Sequence, residues 1–269
     1  MQAPAYAADQ LDNENNSLPS ISAITDVMPR LTSAEIALAI GKILPATANM
    51  PHMAHLQKHE WETLVAFYQA RDNAPIWLGS DGVQARTASL TDRLARADED
   101  GLNPSDYPLP KISSDAETAI SRAEAEIMIS ASAIAYARDA RGARIDLARL
   151  SKLITPKLDL PRSPSVLANL IGSANPGDAL LAYNPPQPGY RLLRDKLATL
   201  HEMTASIGEM SAHPILQASK KPLKTSTAMV AQDPVTPFDL IANMERWRWV
   251  ERDLGDRYIE VNLPEFMLH

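Results

Sequence analysis

The sequence DAETAISRAEAEIMISASAIAYAR, residues 115–138, decides the fold, because it is long, rich in alanine and free of glycine and proline. Such a composition favours an α-helix, in whose interior glycine and proline are the poorest residues. Ile120, Ile127 and Ile134 fall on the side that we expect to be buried. Small residues around Ala131 would let other helices approach closely. We therefore predict a long central helix over 115–138 with shorter helices packed around it.

The composition of the whole chain favours the same architecture. The 269 residues include only 10 glycines but 21 prolines. Proline is tolerated in loops and in the first turn of a helix, so we predict many short helices rather than a few long ones. The fold class that follows is mainly α, a multi-helix domain.

Three helices and an apolar turn are predicted ahead of the central helix. The residues TSAE at 32–35 form a capping box that begins a first helix, and Pro45 is expected to stop it. A second helix, over about 56–71, carries one apolar face. That face comprises Trp61, Leu64, Val65 and Tyr68. Trp77 follows in a short apolar segment closed by turn residues, and we predict that it is buried.

A third helix, over about 87–98, runs into the acidic residues Asp98, Glu99 and Asp100. Gly101 is predicted to end it in the left-handed conformation. Acidic side chains are mildly unfavourable at the carboxyl end of a helix. We therefore interpret the acidic run as a solvated loop.

Four segments are predicted along the chain. Residues 1–30 contain AYA at 5–7, which has the small-x-small form that signal peptidase accepts, followed by a polar stretch; we interpret them as a signal remnant and flexible lead. Residues 31–204 form the helical domain. Residues 205–237 contain four prolines and are predicted to be a linker or irregular loop. Residues 238–269 form a closing helix and a strand.

The strand signal lies at the end of the chain, where Ile259, Val261 and Leu263 alternate with polar or amphipathic residues. The backbone groups of a strand need a partner, and no other strand signal is present. We therefore expect an unpaired short strand that begins a sheet missing from this chain. Its three apolar side chains should be less buried than is usual for their types.

Several classes of function are disfavoured by composition. The net charge of −7 argues against nucleic acid as a main partner. The absence of cysteine excludes disulfides, thiolate metal sites and a cysteine nucleophile from this chain. The sequence has no run of 18 apolar residues, so it predicts no transmembrane segment. No paired carboxylates, phosphate-binding glycine loop or Gly-x-Ser-x-Gly elbow is found. We accordingly assign no catalytic, cofactor-binding or metal-binding residue, and no cofactor.

Three histidines, His52, His55 and His59, lie close together, and the last two are one helical turn apart. Two imidazoles at that spacing can share a metal ion. The zincin pattern, however, needs a glutamate directly after the first histidine, where Leu56 stands. Solvated histidines are the favoured interpretation. A metal hydrolase built on them would require stoichiometric zinc.

The segment MERWRW at 244–249 could suggest an arginine–aromatic binding face. On a helix, however, Trp247 and Trp249 point about 200° apart, so they cannot form one platform. We predict that at least one of the two tryptophans enters the core, while Arg246 and Arg248 stack or pair.

Four segments together resemble the YcbB-like multi-domain L,D-transpeptidases of Gram-negative bacteria. They are PIWL at 75–78 with ADEDGLNPSDY at 97–107; AYARD at 135–139 with GARID at 142–146; PPQPGY at 185–190; and IANMERWRW at 241–249 with YIEVNLPEF at 258–266. The first, of the form P-x-W followed by A-D-x-D-G-L-x-P-x-D-Y, is long and quite specific. In order and spacing the four cover most of residues 60–269.

The resemblance implies a helical scaffold domain attached to a β-rich catalytic domain in the periplasm. Such enzymes cross-link peptidoglycan stems between diaminopimelate residues with a cysteine nucleophile and a histidine base, and carbapenems typically acylate that cysteine. The fourth segment is where the scaffold gives way to the first strand of the catalytic domain. This agrees with the strand signal at the end of the chain.

The chain departs from the family pattern in two ways. It ends at His269, ahead of the family's His…Ser-His-Gly-Cys region, so no catalytic residue can be assigned and the chain itself is predicted not to be an enzyme. Many relatives also insert a small peptidoglycan-binding helical domain between the third and fourth segments. Residues 200–237 are too short and irregular for such a domain.

Two hypotheses follow. The leading one is an exported, periplasmic, non-catalytic scaffold part of an L,D-transpeptidase in cell-wall biogenesis, with the missing catalytic domain and peptidoglycan as partners. The alternative is a stand-alone periplasmic helical interaction protein that lacks the enzyme. Reading the coding sequence beyond His269 would separate them.

Overall fold

The computed structural model describes residues 31–47, 53–79, 82–83, 85–111, 118–146, 149, 155–212, 235–253, 255, 261–262 and 267–268. The described residues belong to one compact unit, which begins at Leu31. The predicted signal remnant and lead, 1–30, lie outside them.

Helices make up most of the described chain, so the fold is mainly α, as predicted. They are α1 (Ser33–Thr47), α2 (Lys58–Gln69), α3 (Ala85–Ala95), α4 (Ala119–Arg138), α5 (Ser163–Gly172), α6 (Pro176–Leu181), α7 (Pro188–Ala212) and α8 (Pro237–Arg248). A 3-10 turn follows α3 at Ala97–Asp100, and a π turn follows α4 at Asp139–Ala143. None of the described helices is both long and apolar enough to cross a membrane.

The central helix is α4, which packs against α1, α3, α5 and α6. Ile127 and Ile134 are buried on it, as predicted, whereas Ile120 is exposed because it lies in the first turn. Ala131 and its small neighbours are fully buried, so the other helices do approach closely here. The main core therefore surrounds α4.

A second, smaller core joins α7 to α8 through Tyr190, Leu197, Leu240 and Met244. Gly189 makes this contact close, because a Cβ there would overlap Cζ2 of Trp247 and lie 3.0 Å from its Cη2. The helix α7 also runs to Ala212, into the segment 205–237 for which the sequence predicts a linker. The pairing of α7 with α8 places the last described helix firmly on the domain.

The start of α1 is confirmed as a capping box. The Glu35 amide donates to Thr32 Oγ1 over 3.2 Å, and the Thr32 amide donates to Glu35 Oε2 over 2.8 Å. The prediction that Pro45 stops the helix is wrong, because α1 continues to Thr47. A proline in the last turn removes only one helical hydrogen bond, which the helix tolerates here.

Trp77 is 1% exposed, which confirms its predicted burial. The segment that carries it is held by one fully buried carboxylate, that of Glu126 on α4. This carboxylate accepts hydrogen bonds from the backbone N–H groups of Ile76, Trp77 and Leu78, over 2.5, 2.9 and 2.9 Å. It also accepts one from the Tyr68 hydroxyl over 2.8 Å. One side chain thereby satisfies three consecutive backbone donors where the chain enters β1 at Leu78.

Two short strands, β1 (Leu78–Gly79) and β2 (Gly82–Val83), pair in an antiparallel arrangement. At the end of the chain, β3 (Val261–Asn262) pairs with β4 (Met267–Leu268). Contrary to the expectation of an unpaired strand, β3 thus has a neighbour. The exposure of the Ile259, Val261 and Leu263 side chains lies outside what the structure describes, and the missing catalytic sheet stays a prediction.

Candidate functional site

The polar centre of the domain is the carboxylate of Asp100, which is fully buried at the end of the 3-10 turn after α3. Arg194 Nε lies 2.8 Å from Asp100 Oδ1, and Arg93 Nη2 lies 3.3 Å from Oδ2. The Tyr136 hydroxyl donates to Oδ2 over 2.5 Å. Gly101, at φ +70°, reverses the chain directly after this residue, as predicted. Side chains from α3, α4 and α7 therefore meet at one carboxylate.

The other half of this centre is the guanidinium of Arg248, at the end of α8 and 2% exposed. Its Nη2 donates to the Asp100 carbonyl oxygen over 2.5 Å and to the Tyr190 hydroxyl over 3.1 Å. Its Nη1 pairs with Glu245 over 3.1 Å. Asn184 lies between the two halves, with Oδ1 2.8 Å from the Tyr190 hydroxyl. We call this group the Asp100 network. Its members are Arg93, Asp100, Tyr136, Asn184, Tyr190, Arg194 and Arg248.

Burial decides the electrostatics of the Asp100 network. Loss of hydration raises the pKa of the Asp100 carboxyl, and the charges of Arg93 and Arg194 oppose that rise. Burial, together with the neighbouring Asp100, also raises the pKa of Tyr136 far above its usual range, so that this hydroxyl stays protonated and donates. Charges removed from water are tolerated only when they are paired and hydrogen-bonded. The buried charges of Asp100 and Arg248 are paired with Arg93, Arg194 and Glu245, so the network holds α3, α7 and α8 together.

One interpretation from the sequence is corrected by this network. The acidic run at 98–100 is not a solvated loop, since Asp100 is buried and paired with Arg194. In the segment 244–249, Arg248 pairs with Glu245 and lies 5.6 Å from the centre of the Tyr190 ring, as predicted. Trp247 packs against the second core but is only half-buried, as is Trp249. Arg246 is exposed and bonds Asn243. The sequence did not predict the Asp100 network, because partners such as Arg194 are distant from Asp100 in the chain.

A second polar group forms the floor of an open cleft of about 950 Å³. The Arg138 guanidinium pairs with Glu60 and with Asp139, each over 2.9 Å, and the Tyr107 hydroxyl donates to Asp139 over 3.0 Å. Ser105 lines the cleft, but its hydroxyl donates to Asn103. Of the described residues that line the cleft, none forms a nucleophile–base pair. The cleft can bind polar groups, and none of its described lining residues is arranged for acyl-transfer chemistry.

The histidines considered for a metal site are not brought together with further ligands. His55 lines the cleft and His59 is on α2; both are exposed, and His52 lies outside the described residues. Among the residues that the structure describes, no group of three or more His, Cys, Asp or Glu side chains is placed to hold a metal ion.

The geometry defines a helical domain whose helices are joined by buried ion pairs. In a comparison with protein families, the family described as "Scaffold domain" matches residues 62–197, just over half of the chain. The chain therefore belongs to the scaffold-domain family. The matched range contains every member of the Asp100 network except Arg248. Neither the curated proteins nor the solved structures gave a match.

Proposed function

We propose that this chain is the non-catalytic scaffold part of an L,D-transpeptidase that cross-links peptidoglycan, and that it acts in the periplasm during cell-wall biogenesis. Membership of the scaffold-domain family supports the scaffold role in this proposal. The four sequence segments that resemble the YcbB-like enzymes support the rest. The sequence contains no cysteine, so the nucleophile of that enzyme class would come from the catalytic domain.

The observation that carries the proposal is the attachment of α8. Its last residue, Arg248, is bonded to groups of the matched family range, namely the Asp100 carbonyl and the Tyr190 hydroxyl. A buried guanidinium that pairs with Glu245 and bonds two groups of the domain fixes both the position and the direction of the helix that carries it. Whatever is joined beyond α8 is thereby held in a set orientation to the domain, which is what a scaffold must do.

The test is to mix the purified chain with a purified catalytic domain of a YcbB-like L,D-transpeptidase. We expect binding, measured by calorimetry, and a higher yield of cross-linked muropeptide dimers by mass spectrometry. Arg248→Met should weaken both effects, whereas Arg246→Met, an exposed position on the same helix, should not. Absence of binding and of any change in yield would refute the proposal.

The chain alone should form no covalent adduct with a carbapenem, because it has no thiol to acylate. Intact-mass measurement after incubation checks this. Fractionation of the native host with an antibody to the chain checks the periplasmic location, and recovery in the cytoplasm would contradict it.

A second candidate is a stand-alone periplasmic interaction protein. It is favoured by one observation, the pairing of β3 with β4 inside the chain. If the chain binds no catalytic domain but stays folded and periplasmic, this candidate moves ahead.

A further inference from the structure

A separate cavity of about 440 Å³ lies where α8 ends, between residues 248–253 and residues 157–159. Its volume falls within the range of small-ligand pockets. Arg141, on the π turn after α4, lines the cavity together with Arg252, Trp249 and Lys157. It is distinct from the cleft over Arg138, with which it shares none of its described lining residues.

The positive charge in the wall of this cavity is incompletely neutralised. Arg252 donates through Nη2 to two carbonyl oxygens, those of Ala140 and Tyr183, over 3.0 and 3.2 Å. Among the described residues, no carboxylate pairs with it. Arg141 has one ion pair, at 3.6 Å, with Asp159, whose side chain is 88% exposed; such a pair contributes little. The guanidinium groups therefore leave an excess of positive charge at the inner wall.

The pKa of Arg252 reports the same imbalance. Burial first, and then the charges of Arg141 and Arg248, lower it to about 10. An arginine that is lowered in this way lies in a region where a negative charge would be stabilised. This supports the geometric argument from the wall of the cavity.

Three residues that line the cavity also carry N–H groups without acceptors. Arg141 Nε, Trp249 Nε1 and Arg252 Nη1 are all buried and, within the described part of the chain, have no hydrogen-bond partner. Buried N–H groups are normally bonded. These unpaired donors add to the positive potential beside the cavity.

The rim of the cavity carries the opposite charge. Asp159, Glu251 and Asp253 line it and are exposed. These carboxylates would repel a polyanion, but they would attract an ammonium group that accompanies a single carboxylate. A zwitterion with its carboxylate inward and its ammonium group outward fits this arrangement.

We propose that the cavity bounded by Arg141, Trp249 and Arg252 binds the carboxylate of an amino acid or short peptide. The site follows from the charges and donors of this cavity alone, so it stands or falls independently of the transpeptidase assignment. Because Trp249 directly follows Arg248, a ligand held here would lie beside the attachment point of α8.

The experiment uses the whole chain labelled with ¹⁵N and follows the indole N–H signals of its four tryptophans by NMR. Trp249→Phe identifies the signal that belongs to Trp249. Glycylglycine is titrated as the probe, with glycylglycine amide as its match without a carboxylate. We expect glycylglycine to shift the Trp249 signal in a saturable way and the amide to leave it in place.

Arg141→Gln should weaken the binding of glycylglycine about tenfold, the ratio that corresponds to 1.4 kcal/mol. Arg191→Gln is the matched control, because it makes the same change of charge at an exposed position outside the cavity. The other three indole signals report that each variant stays folded. Arg252→Gln is a second variant, whose loss of carbonyl contacts makes this folding check necessary.

Three results would overturn the proposal. The Trp249 signal could fail to saturate with glycylglycine, or it could move equally with the amide. Inorganic phosphate could also saturate the site at lower concentration than glycylglycine, which would assign the cavity to a tetrahedral oxyanion instead.

Discussion

Replacing Glu126 by glutamine tests the reasoning about the Trp77 segment most directly. The change keeps the size of the side chain but turns one acceptor oxygen into an NH₂ donor. Glu126 Oε2 accepts from Trp77 and Leu78, and Oε1 accepts from Ile76 and Tyr68. The Tyr68 hydroxyl can reverse its role and accept, so the amide nitrogen should take the Oε1 position. The Ile76 N–H is then left without an acceptor.

The size of the effect follows from these contacts. A buried donor without a partner costs about 1–3 kcal/mol, and two bonds to a neutral rather than a charged acceptor lose about 1 kcal/mol each. Removing a buried charge offsets part of this, since burial raises the pKa of Glu126 against the opposing backbone N–H groups. We expect Glu126→Gln to lower the free energy of unfolding by about 2–4 kcal/mol.

The assay is urea unfolding followed by tryptophan fluorescence and by far-ultraviolet circular dichroism. The matched control is Glu124→Gln, on the same helix but only half-buried, which should change the unfolding free energy by less than about 0.5 kcal/mol. If Glu126→Gln were as mild as its control, the carboxylate would not be what holds the Trp77 segment.

Three further predictions concern other parts of the domain. Arg248→Met should lower the free energy of unfolding by about 3 kcal/mol, because it breaks a buried ion pair from one side; urea unfolding measures this, and an unchanged midpoint would contradict it. Gly189→Ala should lower the free energy of unfolding by about 1–3 kcal/mol, because the added Cβ displaces the Trp247 ring. A lower Tm and a shifted Trp247 indole signal would show this, whereas an equal Tm would show that the contact is loose. The pKa of Glu35 is lowered by hydrogen bonds from Thr32, so its cap stabilises α1 above the usual carboxyl pKa and is lost as pH falls through the folded-state pKa. Hydrogen exchange at the start of α1 should therefore, after correction for intrinsic rates, become less protected in acid in the wild type but not in Glu35→Gln.

The helices were predictable from the sequence because their signals are local. The capping box at Thr32, the left-handed Gly101 and the alanine-rich centre of α4 each lie within a few neighbouring residues, and all three are confirmed. The burial of Trp77 was also predictable, since an apolar segment between turns must pack somewhere. The features that could be predicted are those whose sequence signal lies within one or two helical turns.

The polar centre could not be foreseen for the opposite reason. Asp100 looks like part of a charged surface run until Arg194 is placed beside it, and these residues are far apart in the chain. A buried charge can be predicted only when its partners are known. Partners that are separated by many residues form no local sequence motif from which the pairing could be predicted. The pairing of β3 with β4 was missed because β4 has only two residues, too few to show alternation.

The bond from Arg248 to the Asp100 carbonyl spans 148 positions of the chain, and this has a consequence for biosynthesis. Contacts of such sequence separation close late and slow folding. A nascent chain that has not yet delivered α8 leaves the apolar side of α7, with Tyr190 and Leu197, without its cover. Partly folded species of that kind aggregate readily and are substrates for chaperones. The domain should therefore reach its native state only after α8 has been synthesised, and a stop codon ahead of Arg248 should yield an aggregating product rather than a smaller folded one.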